Sequence, residues 1–185
     1  MSESTTLLVF AHRDEASAFA DVTHLVTGVG KVNAAVSLSA ALAQGNVGRV
    51  IVLGTAGVVG DGADRLSLEE IFQIDRVVQH DFSLPSPELR PAGAVLLPSH
   101  TAAIATGDVF VQDDDQRAHI ADLGAALVDM ETYAFAAVCE RFGVPLQVFK
   151  IPSDFADSST TDEEWDTIVF RKSEQLRAFW DAGLQ

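Results

Sequence analysis

Two acidic residues follow apolar, strand-like segments in the second half of the chain, and both could take part in catalysis. Glu131 follows the segment 125–130, and Asp154 follows the segment 144–152. In an open α/β sheet, ligands bind outside the carboxyl ends of the strands, where both carboxylates are predicted to lie. Carboxylates on separate strands suggest general acid and base chemistry on a bound small molecule. Taken singly, Glu131 could simply cap a helix, and Asp154 could begin a surface turn.

The elements that would position these carboxylates alternate between strands and helices. Strands are predicted at 5–11, 23–30, 49–57, 69–82, 103–111, 125–130 and 144–152. Helices are predicted at 14–20, 31–45, 112–124, 131–143 and 160–183, the last with Thr160 or Thr161 as its cap. The proline-rich segment 84–95 is predicted to be a loop. This alternation favours the α/β class, with a single three-layer α/β/α domain around a central mixed, largely parallel twisted sheet.

Length and composition narrow the class of protein. With 185 residues, of which 48% are hydrophobic and 21% charged, the chain is predicted to form a single domain, 1–185. The net charge of −15, with 12 scattered basic residues, argues against nucleic acid as a partner. No apolar run approaches the length of a membrane span, and the polar start MSESTT predicts a cytoplasmic protein. The single cysteine, Cys139, is interpreted as a core residue.

The order of several motifs resembles the nucleoside phosphorylase and nucleosidase superfamily, and more narrowly the 5′-methylthioadenosine/S-adenosylhomocysteine nucleosidases. The motifs are LLVFAHRDEASAF at 7–19, TGVGKVNAA at 27–35, VIVLGTAGVVGDG at 50–62, ATGDVFV at 105–111, DME at 129–131 and SD at 153–154, with HD at 80–81 as a weaker match. Together these motifs cover most of the chain. The intervals 16–24 and 83–104 are shorter than is usual in that family. The resemblance implies a nucleoside phosphorylase-like fold.

The resemblance also implies a reaction, the cleavage of the N-glycosidic bond of a purine nucleoside. By this resemblance, Asp154 protonates the purine at N7, and Ser153 steadies the acid. Glu131 and the backbone of Met130 hold the ribose hydroxyls. Glu15 orients the attacking water. Such an acid works near neutral pH only if partial burial raises its pKa.

A second set of residues is implied to bind the substrate. Phe110 would stack on the base, and the backbone of Val111 would read the edge of the base. Thr55, Ala56 and Gly57 would lie against the ribose and the base. From the residues alone, the glycine loop is equally compatible with a structural turn, and Phe110 is compatible with ordinary core packing.

The first loop bears on whether water or phosphate attacks. In the phosphorylases of this superfamily, arginines in the first loop and just before the central glycine loop hold the phosphate. Here the residues before Gly54, 50–53, are all apolar, and Arg13 stands beside Asp14 and Glu15. A lone arginine next to two acids is better explained as a surface ion pair. Hydrolysis is therefore favoured over phosphorolysis.

Three alternatives stay open: a purine nucleoside phosphorylase, a futalosine-type hydrolase and a non-catalytic nucleoside-binding protein. Glu15 favours catalysis, because binding alone does not need a carboxylate on the water side. The expected partners are a small-molecule purine nucleoside and a second copy of the chain in a homodimer, with no nucleic acid and no membrane. His12, His80 and His100 lack metal-ligand spacing and are interpreted as surface residues, so neither a metal nor a cofactor is predicted.

Overall fold

The structure is a computed structural model that describes residues 5–61, 65–158 and 162–184. Within these ranges the chain alternates between strands and helices, as the sequence predicts. The elements are β1 (Thr5–Phe10), a 3₁₀-helix (Ser17–Phe19), β2 (His24–Val26), α1 (Lys31–Leu42), β3 (Val47–Val58), β4 (Phe72–Gln79), β5 (Thr101–Thr106), α2 (Asp114–Asp122), β6 (Leu127–Asp129), α3 (Thr132–Phe142), β7 (Leu146–Asp154) and α4 (Asp162–Asp181).

The strands form one mixed sheet in the order β2-β1-β3-β6-β5-β4-β7. Strand β3 pairs in parallel with β1 and β7, and β5 pairs in parallel with β4 and β6. The pairs β3–β6 and β4–β7 are antiparallel. Since β3 pairs with both β6 and β7, five of the strands close into a ring. The prediction of a mixed, largely parallel sheet is confirmed.

Helices cover both faces of the sheet. Along β1, Phe10 packs in a cluster with Leu176 of α4, whereas the neighbouring Val9 packs in a second cluster with Leu38 of α1 and Phe135 of α3. Successive side chains of a strand point to opposite faces, so a strand covered on both sides is apolar throughout. The predicted three-layer arrangement is confirmed. Every described strand of the central ring therefore has a fixed position, and the strand ends form a rigid frame.

Two predicted elements are shorter in the structure. The predicted helix 14–20 contains only the 3₁₀-helix Ser17–Phe19, because Ser173 of α4 donates to the backbone oxygen of Glu15 (2.7 Å) and accepts from the amide of Ala18 (3.0 Å). These long-range hydrogen bonds replace those of a regular helix. The predicted strand 23–30 ends at Val26. The following turn includes glycines with positive φ, a conformation that favours glycine.

Other boundaries shift by a few residues. The predicted strand 103–111 is β5 up to Thr106, and the remainder, 107–111, is a loop that leads to α2. The predicted loop 84–95 contains no strand and touches β4 through a bridge between Val77 and Leu89 and through side-chain contacts of Gln73 and Arg76. The candidate caps of the final helix, Thr160 and Thr161, lie outside the described residues.

Cys139 lies in the core, and burial raises the pKa of its thiol to about 12. Its interpretation as a core residue is confirmed. Among the described residues, no helix is both long enough and apolar enough to cross a membrane.

Candidate active site

The carboxyl ends of β1, β3, β6 and β7 meet around one cavity of about 280 Å³. All ten residues that the sequence analysis assigned to the site line it: Glu15, Thr55, Ala56, Gly57, Phe110, Val111, Met130, Glu131, Ser153 and Asp154. These residues come from distant parts of the chain. A mainly apolar cleft with a few convergent polar groups is typical of a small-molecule site.

Glu15 is buried at the end of β1 and is held by three hydrogen bonds. Its Oε1 accepts from the amide of Thr55 (2.7 Å) and from the hydroxyl of Thr55 (2.8 Å). Its Oε2 accepts from the amide of His12 (3.1 Å). A Cβ at Gly54 would lie 3.1 Å from Glu15 Oε1, so a glycine lets the carboxylate approach the strand. Because every partner is a donor, the carboxylate form is matched to this position.

Asp154 is half-buried at the end of β7. Its Oδ2 accepts from the hydroxyl of Ser153 (2.5 Å), and its Oδ1 accepts from the amide of Ala156 (2.8 Å). Ala156 has a φ of 48°, an uncommon conformation for a residue with a Cβ. A Cβ at Gly57 would lie 2.9 Å from the Cβ of Ala156 and 3.1 Å from Asp154 Oδ1. Gly57 therefore allows the turn that points Asp154 into the cavity.

Glu131 lies just before α3, and its side chain is buried. Its Oε1 accepts from the amide of Gly30 (2.9 Å), at the start of α1. Burial and the neighbouring carboxylate of Asp129 raise the pKa of Glu131 to about 8, although Lys150 and the Gly30 amide oppose the shift. The carboxyl group of Glu131 is thus protonated more readily than an exposed glutamate.

A buried ion pair supports this group of carboxylates, and the sequence analysis missed it. Lys150 is 1% exposed, and its Nζ lies 3.0 Å from Asp129 Oδ2. Burial alone would lower the pKa of Lys150, but the carboxylates of Asp129, Glu15 and Glu131 raise it, so the side chain is a cation. Asp129 is itself held by the hydroxyl of Thr106 (2.7 Å). In the sequence, the only indication of this ion pair is a lysine inside the apolar run 144–152, because a buried lysine needs a charged partner.

The side of the cavity that the resemblance assigns to the base is built from the loop 107–111. Phe110 is 40% exposed at the rim of the cavity, whereas Val111 is buried and packs with Ile120 of α2. The interpretation of Phe110 as ordinary core packing is therefore wrong. An aromatic ring left partly open beside a cavity is available to a planar ligand.

Two further aromatic residues line the cavity and were not assigned to it from sequence. His12, interpreted as a surface residue, packs edge-to-face against Trp165 with ring centres 5.2 Å apart. The indole nitrogen of Trp165 donates to the hydroxyl of Thr55 (3.3 Å). Trp165 belongs to the amphipathic α4, whose periodicity gives no indication that one residue reaches the site. His80 also departs from its surface interpretation, since its Nε2 is buried without a hydrogen-bond partner among the described residues.

The cavity combines one half-buried acidic side chain, Asp154, with two buried ones, Glu15 and Glu131. Asp154 can exchange a proton with a ligand while Ser153 and the Ala156 amide hold its orientation. Glu15 and Glu131 bring two further acidic side chains to the same cavity. Such a pattern suits a reaction in which positive charge develops on the ligand between the carboxylates while a leaving group takes up a proton. Among the described residues, no group of His, Cys, Asp and Glu side chains is arranged to hold a metal ion.

Comparison with known proteins identifies the family. The profile of the Phosphorylase superfamily matches residues 18–96 and 88–182. The 5′-methylthioadenosine/S-adenosylhomocysteine nucleosidase of Marinomonas sp. is 34% identical over 184 residues, an alignment that covers 83% of this chain and 77% of that protein. The aminodeoxyfutalosine nucleosidase of Helicobacter pylori is 27% identical over 153 residues, which covers 70% of this chain and 65% of that protein.

A solved structure agrees with these sequence comparisons. The 5′-methylthioadenosine/S-adenosylhomocysteine nucleosidase of Helicobacter pylori superposes with a TM-score of 0.82 at 18% identity, over 99% of this chain and 100% of that one. At this identity the match shows the fold, whereas the family follows from the sequence matches. The resemblance drawn from the motifs is confirmed. The chain therefore belongs to the phosphorylase superfamily and, within it, to the family of the 5′-methylthioadenosine/S-adenosylhomocysteine nucleosidases.

Proposed function

We propose that this chain hydrolyses the N-glycosidic bond of a purine nucleoside of the 5′-methylthioadenosine/S-adenosylhomocysteine type, releasing the free base and the ribose moiety. The observation that carries the proposal is the placement of Glu15, Glu131 and Asp154 on separate walls of one cavity. The named relatives supply the substrate class, since they are nucleosidases with this sequence pattern.

The proposed mechanism follows from the charges that develop as the bond breaks. Positive charge grows on the ribosyl ring, and negative charge grows on the departing purine. Asp154 donates a proton to purine N7, which makes the base a better leaving group. Glu131 and the Met130 backbone hold the ribose hydroxyls and favour the ribosyl cation. Glu15 orients a water at the anomeric carbon and takes up the proton that this water loses as its oxygen bonds to the carbon, and separated carboxylates leave room for the water.

The base is held by the opposite side of the cavity. Phe110 stacks on the purine, and the Val111 backbone reads its edge. The predicted glycine loop is the last part of β3, and there Ala56 and Gly57 lie against the nucleoside with little side-chain bulk. Stacking on an aromatic ring contributes about 1–3 kcal/mol per base in comparable sites.

The charge of the cavity supports water over phosphate as the nucleophile. Glu15 and Asp129 contribute two carboxylates, against the single cation of Lys150. Among the described residues, no arginine lines the cavity. Arg13 is exposed, and its Nε lies 3.5 Å from Asp14, as expected for a surface ion pair. A phosphate dianion would meet more negative than positive charge, whereas a neutral water would not be repelled.

The test is a panel of nucleosides incubated with the protein, followed by chromatography for the released base, with and without phosphate. The panel contains 5′-methylthioadenosine, S-adenosylhomocysteine, adenosine, inosine and aminodeoxyfutalosine. The proposal predicts base release that does not depend on phosphate. Protein with Asp154→Asn, purified in parallel, controls for contaminating nucleosidases. Strict dependence on phosphate, or no release from any nucleoside, would overturn the proposal.

A futalosine-type substrate is the second candidate, because the aminodeoxyfutalosine nucleosidase of Helicobacter pylori is among the relatives. The same panel separates the two candidates by the ratio of kcat/KM for aminodeoxyfutalosine and 5′-methylthioadenosine. The chemistry at the glycosidic bond is common to both, so the assignment of Glu15, Glu131 and Asp154 does not depend on the outcome.

We further propose that the chain works as a homodimer. Helix α1 exposes Val32 and Val36, which are 72% and 65% exposed, and these lie one helical turn apart on the same face. The half-exposed Val29 continues this face to the cavity. Light scattering at micromolar concentration should give twice the chain mass, and Val36→Asp should give a monomer. Phe170→Asp, on the opposite layer, is the matched control and should remain dimeric. A monomeric wild type with full activity would contradict the proposal.

A further inference from the structure

Three short sequence motifs meet beside the cavity although none of their side chains has a role in the proposed reaction. They are Gly30–Lys31 at the start of α1, His80–Asp81 after β4, and Gly107–Asp108 after β5. Each motif is a glycine or histidine followed by a charged residue. The three charged side chains lie in different segments of the chain, so only the fold brings them together.

Lys31, Asp81 and Asp108 form a closed set of hydrogen bonds, which we call the polar latch. Lys31 Nζ donates to Asp81 Oδ1 (2.6 Å), and the amide of Asp108 donates to Asp81 Oδ2 (2.8 Å). The amide of Lys31 donates to Asp108 Oδ1 (2.8 Å). Lys31 Nζ also donates to Gln79 (3.0 Å). The side chains of Lys31 and Asp81 are each 19% exposed, which shields the pair from much of the solvent.

The polar latch determines how α1 begins. The residue at the N-cap, Gly30, has no side chain to accept from the first amides of the helix, so Asp108 supplies this cap from another segment. The amide of Gly30 donates to Glu131, the residue proposed to bind ribose. Gly30 has a φ of 94°, and a Cβ there would lie 3.1 Å from Asp108 Oδ1. The amides of the successive residues Gly30 and Lys31 therefore donate to Glu131 and to Asp108, respectively.

The polar latch also holds the base-binding loop. Asp81 fixes the amide of Asp108, two residues before Phe110. Beneath the loop, the ring of His80 packs so closely that a Cβ at Gly107 would lie 2.3 Å from its Nε2. The amide of Gly107 donates to the backbone oxygen of Asp129 (3.1 Å). Phe110 itself is partly open, so its direction depends on how the residues before it are held.

The surroundings of Asp81 favour its ionised form. Burial of Asp81 opposes ionisation, but the hydrogen bonds from Lys31 Nζ and from the Asp108 amide outweigh it and lower the pKa of the Asp81 carboxyl. Burial lowers the pKa of His80, and the charges of Asp81 and Asp129 only partly offset this. The latch is thus an ion pair packed beside a ring whose neutral form is favoured.

We propose that Asp81 and Lys31 are positioning residues for the nucleoside, because the hydrogen bonds of the polar latch fix the base-binding loop 107–111 relative to the start of α1 that holds Glu131. One nucleoside has to span both, with its base at Phe110 and its ribose at Glu131. This inference rests on the proposed function. It adds a determinant of substrate affinity that lies outside the cavity lining.

Steady-state kinetics of Asp81→Ala and Lys31→Met test the inference. Misplacing a bound group by about 1 Å can cost roughly a hundredfold. We therefore expect KM for the nucleoside to rise by about tenfold to a hundredfold, with kcat reduced by less than about threefold. Lys31→Arg keeps the cation and should restore KM to within about threefold of wild type. Glu88→Ala, which removes an ion pair with Arg76 of β4 away from the latch, is the matched control and should leave both constants unchanged.

A double-mutant cycle with Phe110→Ala separates positioning from general destabilisation. If Asp81 acts through the loop, the double variant should have a KM within about twofold of the worse single variant, since residues that act together are not additive. Multiplicative effects on KM would show that the two residues act independently and would overturn the inference. An unchanged KM in both Asp81→Ala and Lys31→Met, or a loss confined to kcat, would do the same.

Base release by the wild type is measured first. Absence of release from every nucleoside refutes the proposed function, whereas release with an unaffected KM in the latch variants refutes only the inference. If Asp81→Ala does not fold, as judged by its thermal transition, Asp81→Asn replaces it. The asparagine keeps one acceptor for the Asp108 amide and loses the ion pair to Lys31, and it should still raise KM.

Discussion

The two sides of the cavity are built in different ways. On the reaction side, Glu15, Glu131 and Lys150 are almost fully buried, and each is held by groups at strand or helix ends. On the base side, Phe110 lies partly exposed on a loop that depends on a polar latch. Chemistry that stabilises charge needs rigid, desolvated groups, whereas recognition of a planar base tolerates a loop. Because the two sides are built differently, we expect substitutions on the reaction side to affect turnover and substitutions on the base side to affect KM.

The buried charged groups of the reaction side also affect the stability of the fold. Burial of charged groups is unfavourable unless each is paired, and removal of one partner leaves an uncompensated charge. Glu15, Asp129 and Glu131 share one buried cation, Lys150. Substitutions of these buried groups should therefore change turnover and stability together. Substitutions on the base side should change KM and leave stability nearly unaffected.

The largest effect is expected for Glu15→Gln. Loss of the charge that orients water should lower base release by roughly 10⁴, the upper end of what a positioned base contributes. Binding of a non-hydrolysable nucleoside should change by less than about 1.4 kcal/mol, or tenfold, because the base and ribose contacts remain. Calorimetry and a base-release assay on the same protein measure both. Retained hydrolysis would assign the water to another residue.

Glu15→Gln should also lower the free energy of unfolding. An amide nitrogen would face either the Thr55 or the His12 amide, and one buried donor would lose its partner, at a cost of about 1–3 kcal/mol. Urea denaturation measures this change. Glu174→Gln makes the same chemical change on an exposed residue of α4 and should have no effect.

The second largest effect on turnover is expected for substitution of the proposed acid, Asp154. Asp154→Asn should cut kcat by a factor on the order of 10² to 10⁴ while nucleoside binding stays largely intact. An asparagine can still accept from the Ala156 amide and donate to the Ser153 hydroxyl, but it cannot protonate the purine. Stability should therefore be preserved, in contrast to Glu15→Gln. Single-turnover base release is the measurement, with Asp122→Asn as the surface control. Near-normal turnover would exclude Asp154 as the acid.

A smaller effect is expected on the base side. Phe110→Ala removes a stacking ring worth about 1–3 kcal/mol and should raise KM by roughly tenfold, with little change in kcat. Phe170→Ala, which removes a similarly exposed ring from α4, should leave KM unchanged. Steady-state kinetics with a thermal scan distinguish a loss of stacking from unfolding. A fall in kcat with constant KM would place Phe110 on the reaction side and would remove the contrast between the two sides.

The smallest effect is a dependence on pH from Glu131, whose pKa is raised to about 8. The ribose hydroxyls donate to the carboxylate, so affinity for a substrate analogue should strengthen severalfold as pH rises from 6 to 9. Because the folded pKa lies above the ordinary value of 4.5, the contribution of this group to stability is complete below about pH 4.5 and is lost as pH rises to about 8. Calorimetry from pH 6 to 9 should show the change in affinity, and urea denaturation from about pH 4.5 to 8 should show the change in stability. Glu131→Gln should remove both.

The strands and helices that position the site could largely be predicted from the local pattern of apolar residues in the sequence. The apolar runs that form β1, β3 and β7 are long enough to be recognised as strands buried on both faces. Their order with the intervening helices predicts the layers, and Glu131 and Asp154 follow strand ends directly. The carboxyl ends of the parallel strands β3 and β7 meet at one edge, which accounts for the position of Asp154, whereas Glu131 reaches the cavity through the antiparallel pairing of β6 with β3.

The rest depends on contacts between distant residues. Nothing in the local sequence indicates that Lys150 pairs with Asp129, that Trp165 reaches Thr55, or that Asp108 caps α1. These contacts arise only once β3 pairs with both β6 and β7 and α4 covers the opposite face. A single charged residue within an apolar strand, such as Lys150, signals a buried partner but cannot identify it.

The most direct test of the central claim is to follow phosphorus and base together in one reaction. Wild-type protein is incubated with 5′-methylthioadenosine and excess inorganic phosphate, with ³¹P NMR for phosphate and chromatography for adenine, and the rate is compared with that in phosphate-free buffer. Equal rates of adenine release and an unchanged phosphate resonance are expected, because the carboxylates of Glu15 and Asp129 outweigh the one cation of Lys150 and repel the anion but not a neutral water. A sugar 1-phosphate resonance that grows in step with adenine would contradict it.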